Sequence, residues 1–537
     1  MSTLTQVAQD IPPVVATPTV TAPAVNPAEG PWLITVAVML ATFMEVLDTT
    51  VVSVSLTHIA GSLSATPNEA TWALTSYLVA NGIVIPISGW LANHIGRKNL
   101  LLLSTAGFTL ASLLCGIAPS MGLLVTFRVV QGACGGSLQP LSQAVMLEAF
   151  PPEQHGKAMA VWAMGAIVAP VLGPVLGGWL TDNFSWRWVF YINLPVGLLS
   201  VFMIRTFLKD PPYIRRSSAA IDSWGLATLA IWVAALQIML DKGQEEDWFD
   251  SRFIMVLAVA FVVGLVIWIV VELSSQHPVA DLRMFRNVPF AVGTVVMAVV
   301  GFVMYGGQIS ISLWLQTLLG YPSVQAGIAM MAMGIGAALA MPIASLLVSR
   351  FDPRKVFACG VLGIAFSFYQ LMRFNLQVGY WDIFWPQFIQ GFSTGLVAVP
   401  LMVLTMAFIP KENMGNATSL FNMMRNIGGG VGISIVGTVL TRLGQQHTNL
   451  LIAHVTPLSP LALRLFGGLR GLFAGSGPVS ADKKAYAVLF GLVQRQASMV
   501  ALIQVFQYLG LLILILIPLI ALTKRPPKGQ ASQPMAH

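Results

Sequence analysis

Charge is scarce in this sequence. Asp, Glu, Lys and Arg make up 9% of its 537 residues, against about a quarter in an ordinary soluble domain. So few charges cannot clothe a water-facing surface, which excludes the soluble globular class. Cysteine is scarce too: Cys115, Cys134 and Cys359 each fall in an apolar run without metal-ligand spacing. That pattern excludes a disulfide framework and leaves them as small packing residues. The sequence contains no Walker loop, HExxH pair, paired CxxC or GxSxG elbow. Nucleotide-driven work and enzymatic chemistry are therefore not indicated, and no metal or cofactor is assigned. Residues 1–31 include Pro12, Pro13, Pro18, Pro23 and Pro27 and have no basic start before an apolar core. They read as a disordered tail, not as a cleavable signal.

Apolar sequence, in contrast, is abundant, with 56% of residues hydrophobic. A bilayer-crossing helix needs about 20 mostly apolar residues. Such runs are expected at 32–58, 70–92, 100–118, 121–147, 158–180, 187–204, 222–240, 253–273, 288–316, 326–349, 356–373, 381–409, 416–441 and 497–522. The fold class is therefore all-α integral membrane with about fourteen spans.

The net charge of +7 does not point to nucleic acid, because the basic residues lie in short clusters between spans. Loops after even-numbered spans hold Arg97 and Lys98, Lys157, Arg205, Lys209, Arg215 and Arg216, Arg283 and Arg286, Arg350, Arg354 and Lys355, Lys411, and finally Lys524, Arg525 and Lys528. The opposite short loops 59–69, 119–120 and 317–325 hold no Lys or Arg, and 241–252 is mainly acidic. By the positive-inside rule both termini are expected in the cytoplasm. The stretch 442–496 carries six basic residues on the outer side, which is compatible because long loops translocate largely regardless of charge.

Two places betray an internal repeat: "SGWLANHIGRKNL" is echoed by "ASLLVSRFDPRKV", and "RVVQG" (128–132) by "QFIQG" (387–391). The expected layout is a tail 1–31, a six-helix lobe 32–207, two inserted helices 208–287, a second six-helix lobe 288–522 with the outer loop 442–496, and a tail 523–537. Repeats of this kind build secondary transporters.

Ionisable groups within spans are functional candidates by default. Glu45 and Asp48 lie one turn apart in the first span, and at about 100° per residue they share a face with Thr49 and Ser55. Burial disfavours the charged form of a carboxylate, the property a proton carrier needs. A static ion pair is the competing reading. Arg128 lies inside the fourth span with Gln139 on its face and Gln131 and Ser142 flanking, and a buried guanidinium needs a partner. The expectation is an Asp48 to Arg128 interaction, with a packing anchor as the alternative role. Thr418, Asn422, Arg425 and Gly429 form a polar stripe in the thirteenth span, facing either substrate or a neighbouring helix. Met330, Met331, Met333, Met341, Met423 and Met424 offer adaptable apolar surface or simple core filler. Thr49, Gln131, Gln139, Asn422 and Arg425 are thus the candidates for a substrate cavity.

"ATFMEVLDTTVVSVSL", "GWLANHIGRK", "FRVVQG", "APVLGPVLGG", "WRWVFYINLPVG", "LQIMLDKGQEEDWF" and "WPQFIQGF" occur in that order. Together they resemble the major facilitator superfamily, and within it the fourteen-span drug:proton antiporters, over nearly the whole chain. The resemblance implies two six-helix lobes plus two inserted helices, and export of lipophilic, drug-like compounds by alternating access. The drive would be the proton motive force, in a bacterial inner membrane, with a periplasmic membrane-fusion adaptor and an outer-membrane channel as partners. It supports Asp48 as the coupling residue and places Arg128 near it, while Glu45 is a coupling candidate on its intramembrane charge alone, tuning its neighbour's pKa or meeting cationic substrates. Gly173, Pro174, Gly177 and Gly178 would form the antiporter motif, which is also a close-packing seam. Gly89, Asn93, Gly96, Arg97 and Lys98 would form a cytoplasmic gating loop, with Arg97 and Lys98 expected near span ends or anionic lipid. Two departures stand out: Asn93 replaces the usual Asp of that loop, and Ser53 replaces an Asn of the first span. An uptake transporter and a non-transporting scaffold for an adaptor are the competing functions.

Overall fold

The computed structural model describes residues 30–151, 154–209, 222–275, 278–410, 413–456 and 459–523. The expected tail over 1–29, together with Arg215, Arg216, Lys411, Lys524, Arg525 and Lys528, lies outside the described residues. Those described are almost entirely helical: α1 Pro31–Ser62, α2 Pro67–Ile95, α3 Arg97–Ile117, α4 Met121–Gly135, α5 Leu138–Ala149, α6 His155–Asn183, α7 Trp188–Tyr191, α8 Asn193–Phe207, α9 Ser223–Lys242, α10 Arg252–Ser274, α11 Val288–Leu313, α12 Ser323–Arg350, α13 Pro353–Met372, α14 Tyr380–Met406, α15 Met414–Ile452, α16 Pro460–Leu472, α17 Pro478–Leu514 and α18 Leu516–Ala521. Thirteen stretches among them are long and apolar enough to cross a membrane, α4 with α5, α7 with α8 and α17 with α18 each counting as one. The 29-residue α6 packs among them against α1 and α12 as a fourteenth.

Local chemistry sets the helix ends. Thr66 and Glu69 close a capping box at the start of α2, each side chain satisfying a backbone N–H of the other. Gly96 ends α2 at φ 92°, a conformation that side chains other than glycine's rarely adopt, so α3 can restart one residue later. Asp222, Asp352 and Ser459 each accept a backbone N–H at the starts of α9, α13 and α16.

Helices α1 to α8 pack on one another, as do α11 to α18, while α9 and α10 pair together. The two groups meet chiefly through α2 against α15 and α6 against α12. The sequence echo between the groups has a packing counterpart. In α4, a Cβ on Gly132 would come within 3.0 Å of the Tyr77 Cα of α2, and in α14, one on Gly391 within 2.8 Å of the Met333 Cα of α12. The same small residue permits the same close helix approach in both halves. The halves differ in charge: where α4 carries Arg128, α14 carries the neutral Gln387, equally buried.

The stretch 442–496, expected as a loop, is largely helical. It consists of the end of α15, the short α16 and the first part of α17. Arg495 donates to the Leu318 carbonyl in the π-helical turn that follows α11, at 2.6 and 3.0 Å. The α17 residues before it therefore extend about 25 Å past that level at 1.5 Å per residue. The Phe466 and Tyr486 rings meet at 4.5 Å, tilted by 39°, and Arg470 pairs with Asp482 at 2.7 Å, holding α16 antiparallel to α17. The last spanning helix accordingly starts at Pro478, not near Ala497, because polar residues on its exposed face lower the hydropathy of the segment without breaking the helix.

Candidate functional site

The first-span acid Asp48 is fully buried, and so is Arg128. Arg128 Nη1 donates to Asp48 Oδ2 at 2.5 Å and to Gln131 Oε1 at 2.7 Å, while its Nε donates to the Ala73 carbonyl of α2 at 2.7 Å. Its guanidinium carbon stands 4.2 Å from the centre of the Tyr77 ring, a cation–π contact that partly replaces the lost water. The second oxygen of Asp48 accepts from Gln131 Nε2 at 3.0 Å and Asn193 Nδ2 at 2.8 Å. Asn193 Nδ2 also reaches Ser112 Oγ at 2.9 Å, and Cys115 Sγ donates to Gln131 Oε1 at 3.5 Å. Five helices thus supply one charge-paired, hydrogen-bonded cluster. A buried ion pair needs such partners, since desolvation otherwise exceeds the Coulombic gain, and within this cluster Arg128 Nη2 and Asn193 Oδ1 are left without one among the described residues.

Glu45 is buried one turn earlier and accepts from Asn81 Nδ2 at 3.1 Å. Gln139 of α5 reaches both Glu45 and Arg425 of α15, whose guanidinium donates to Gln139 Oε1. The polar stripe of α15 therefore faces the other lobe. Asn422 donates to Gln143 Oε1 at 2.6 Å, and one turn further on Ser419 and Ser88 share a hydrogen bond of 2.8 Å between α15 and α2. Beside them a Cβ on Gly89 would lie 2.8 Å from the Asn416 nitrogen, so the lobes touch backbone to backbone here.

A cavity of about 240 Å³ opens between the lobes. Met159, Met297, Met304, Met333, Met341 and Met402 line it, with Trp162, Tyr305, Phe421, Gln139, Gln143, Gln308, Thr394 and Arg425 as its polar or aromatic groups. Flexible thioethers and few polar groups suit apolar ligands of varied shape. Of the five cavity candidates, Gln139 and Arg425 line this space. The remaining three do not. Thr49 turns its hydroxyl to the Val46 carbonyl at 2.8 Å, Gln131 serves the Asp48 cluster, and Asn422 binds Gln143. Of the methionines singled out by sequence, Met333 and Met341 line it, and Met423 belongs to the core.

The glycines of the expected antiporter motif lie where α6 crosses α1. A Cβ on Gly173 would collide with the Thr50 side chain, and one on Gly177 would lie 2.9 Å from the Val51 carbonyl, while Gly178 is buried and Pro174 stays within the helix. At the expected gating loop, Arg97 is buried in an ion pair with Glu148 at the end of α5, and Lys98 donates to the Arg205 carbonyl near the end of α8 at 2.8 Å, so of the two surroundings expected for them these are span ends. Glu148 thus supplies the carboxylate that Asn93 cannot. Sequence reasoning missed Asn193, Tyr77, Asn81 and Glu148. The only available signal was their polarity inside or at the edge of apolar runs.

The sequence profile described as Major Facilitator Superfamily matches residues 38–433 and, in a second placement, 294–525. The chain is 38% identical over 450 residues to the multidrug export protein EmrB of Escherichia coli strain K12, covering 83% of this chain and 88% of that protein. It is 36% identical over 498 residues to the fatty acid resistance protein FarB of Neisseria gonorrhoeae, covering 92% and 96%. Among solved structures, the human organic anion transporter MFSD10 matches 90% of this chain and 99% of its own with a TM-score of 0.56 at 14% identity, a likeness of fold. A fourteen-helix, two-lobed membrane fold and these similarities lead to one assignment: the chain belongs to the major facilitator superfamily, in its EmrB-like group of permeases.

Proposed function

We propose that this permease is a multidrug exporter that expels lipophilic compounds from the cytoplasm in exchange for protons. The observation that carries the reading is the fully buried Asp48–Arg128 pair, set one helical turn from Glu45, whose partner Gln139 lines the methionine-rich cavity. Ionised Asp48 holds Arg128 at 2.5 Å. Neutralised by a proton, it loosens its hold on one N–H of Nη1, and the guanidinium keeps Ala73, Gln131 and the Tyr77 face as partners. Because those partners sit on α2 and α4, the change in attraction acts on how α1 packs against them. The Ser88–Ser419, Gln143–Asn422 and Gln139–Arg425 contacts form the closure between lobes that alternating access must open and remake.

In this reading the basic loops and both termini face the cytoplasm of a bacterial cell, as the Lys and Arg bias requires. The layout is lobe 32–207, inserted helices 208–287 and lobe 288–522. Glu45 is a second acid of the coupling site. Moving one charge across 100 mV is worth about 2.3 kcal/mol, so one proton per cycle sustains severalfold accumulation. The projecting α16–α17 hairpin is the candidate contact for a periplasmic membrane-fusion adaptor, which would connect the permease to an outer-membrane channel. The test is transport into inverted membrane vesicles. An acid interior should drive uptake of a lipophilic fluorescent dye, and Asp48→Asn should stop it. Dye movement independent of the proton gradient would overturn the coupling, and an opposite direction would favour an importer.

A further inference from the structure

Asn193 stands against the coupling carboxylate in a way that hydrogen bonding alone does not account for. Its Nδ2 makes two bonds, to Asp48 Oδ1 at 2.8 Å and Ser112 Oγ at 2.9 Å. Its Oδ1, equally buried, has no hydrogen-bond partner among the described residues. A buried carbonyl left unsatisfied costs free energy, and such groups are rare in folded proteins. A side-chain amide, however, carries a donor and an acceptor at nearly the same position and exchanges them by rotating half a turn.

The needs of Asp48 change with its proton. Ionised, it accepts only, and its present neighbours are all donors: Arg128 on Oδ2, and Gln131 and Asn193 on Oδ1. Protonated on Oδ1, it must donate an O–H. Arg128 has no acceptor to offer, and the Gln131 Oε1 oxygen is already occupied by Arg128 and Cys115. The other titratable groups around it are Glu45 on its own helix, Tyr77 on α2 and Cys115 on α3, while α8 contributes only the amide of Asn193. Among the described residues, the idle Asn193 Oδ1 is the unpartnered acceptor on a side chain that already bonds Asp48. Ser112 suits both orientations, because its hydroxyl now donates to the Phe190 carbonyl at 2.9 Å and accepts from Asn193, and can instead donate to a turned Oδ1.

We infer that Asn193 is a proton-responsive positioning residue, donating to ionised Asp48 and rotating to accept from the protonated acid. In the loading step a proton binds Asp48 Oδ1, and the new O–H bonds to Asn193 Oδ1. The Nδ2 group swings to the side Oδ1 vacates, and Arg128 loses its anionic partner. Release of the proton reverses each change. The amide thereby gives both states of Asp48 a satisfied hydrogen bond, and ties α8 to the charge of α1. This inference rests on the proton-coupling reading above and adds a residue that reading did not contain.

The test is a pH-difference infrared spectrum of the full-length protein in lipid nanodiscs. The wild type should show a protonated-carboxyl C=O band that Asp48→Asn removes, and, rising and falling with it, a side-chain amide band that Asn193→Leu removes. In Asn193→Leu the Asp48 band should also move to higher wavenumber, because its O–H has lost its acceptor. Asn193→Ser, which retains a group able to donate and accept, should keep the band near its wild-type position and guards against failure of the leucine variant to fold. An Asp48 band unchanged in both variants, with no amide band, overturns the inference while leaving proton coupling intact. A wild type with no Asp48-dependent band overturns the coupling reading and the inference with it.

Discussion

Asp48 and Arg128 lie 80 residues apart in sequence and meet at 2.5 Å with neither side chain open to solvent. Removing one partner of such a pair leaves an uncompensated buried charge, at a cost of about 3–5 kcal/mol. Arg128→Leu and Asp48→Asn are therefore expected to differ. The first strands an anion and should lower the thermal midpoint in detergent. The second keeps the carboxamide's shape and leaves Arg128 its Ala73, Gln131 and Tyr77 partners, so the protein should insert and remain folded. The double variant should be more stable than Arg128→Leu alone. Equal midpoints for all three would show that the pair contributes nothing to folding.

The α1–α6 crossing tolerates no side chain at its glycines. Gly173→Val would press on the Thr50 side chain, and Gly177→Val on the Val51 backbone. Overpacking of this kind costs about 1–3 kcal/mol and displaces helices. Both variants should reach the membrane in reduced amount and transport at least tenfold more slowly, measured as initial dye efflux per molecule. Wild-type rates would argue that this seam does not need close approach.

The closure between the lobes is testable by trapping. Ser88 and Ser419 oxygens stand 2.8 Å apart across α2 and α15. In a background where Cys115, Cys134 and Cys359 are replaced, Ser88→Cys with Ser419→Cys should form a disulfide on mild oxidation. Transport should stop and return on reduction. Cross-linking without loss of transport would mean that this contact never opens during the cycle.

The buried Arg97–Glu148 pair links the start of α3 to the end of α5. Glu148→Gln should lower thermal stability more than Asn93→Ala, because only the former leaves a buried guanidinium without its carboxylate. The opposite ranking, read from thermal midpoints, would point to Asn93 as the group that steadies the loop.

Much of this was legible in the sequence, for identifiable physical reasons. A bilayer imposes a length and an apolar composition on each span, so fourteen helices could be counted from hydropathy. The cost of intramembrane charge made Asp48, Glu45 and Arg128 conspicuous. Neutral partners carry no such mark. Asn193, Asn81 and Gln143 sit in runs where a polar residue is as often a packing contact, and only the tertiary fold brings α1, α2, α5 and α8 together around them. Glu148 was passed over because it lies at the edge of a span, where a charge is ordinary. The helical hairpin over 442–496 escaped for the opposite reason: many residues of α16 and of the first part of α17 are exposed and several of them polar, and an apolar-run criterion does not register them.

The central claim is that export is powered through Asp48. The most direct measurement compares dye uptake into inverted vesicles carrying the wild type and Asp48→Asn at equal expression, with and without an imposed acid interior. The account predicts gradient-driven uptake in the wild type and none in Asp48→Asn. Gradient-driven uptake that survives Asp48→Asn would contradict it.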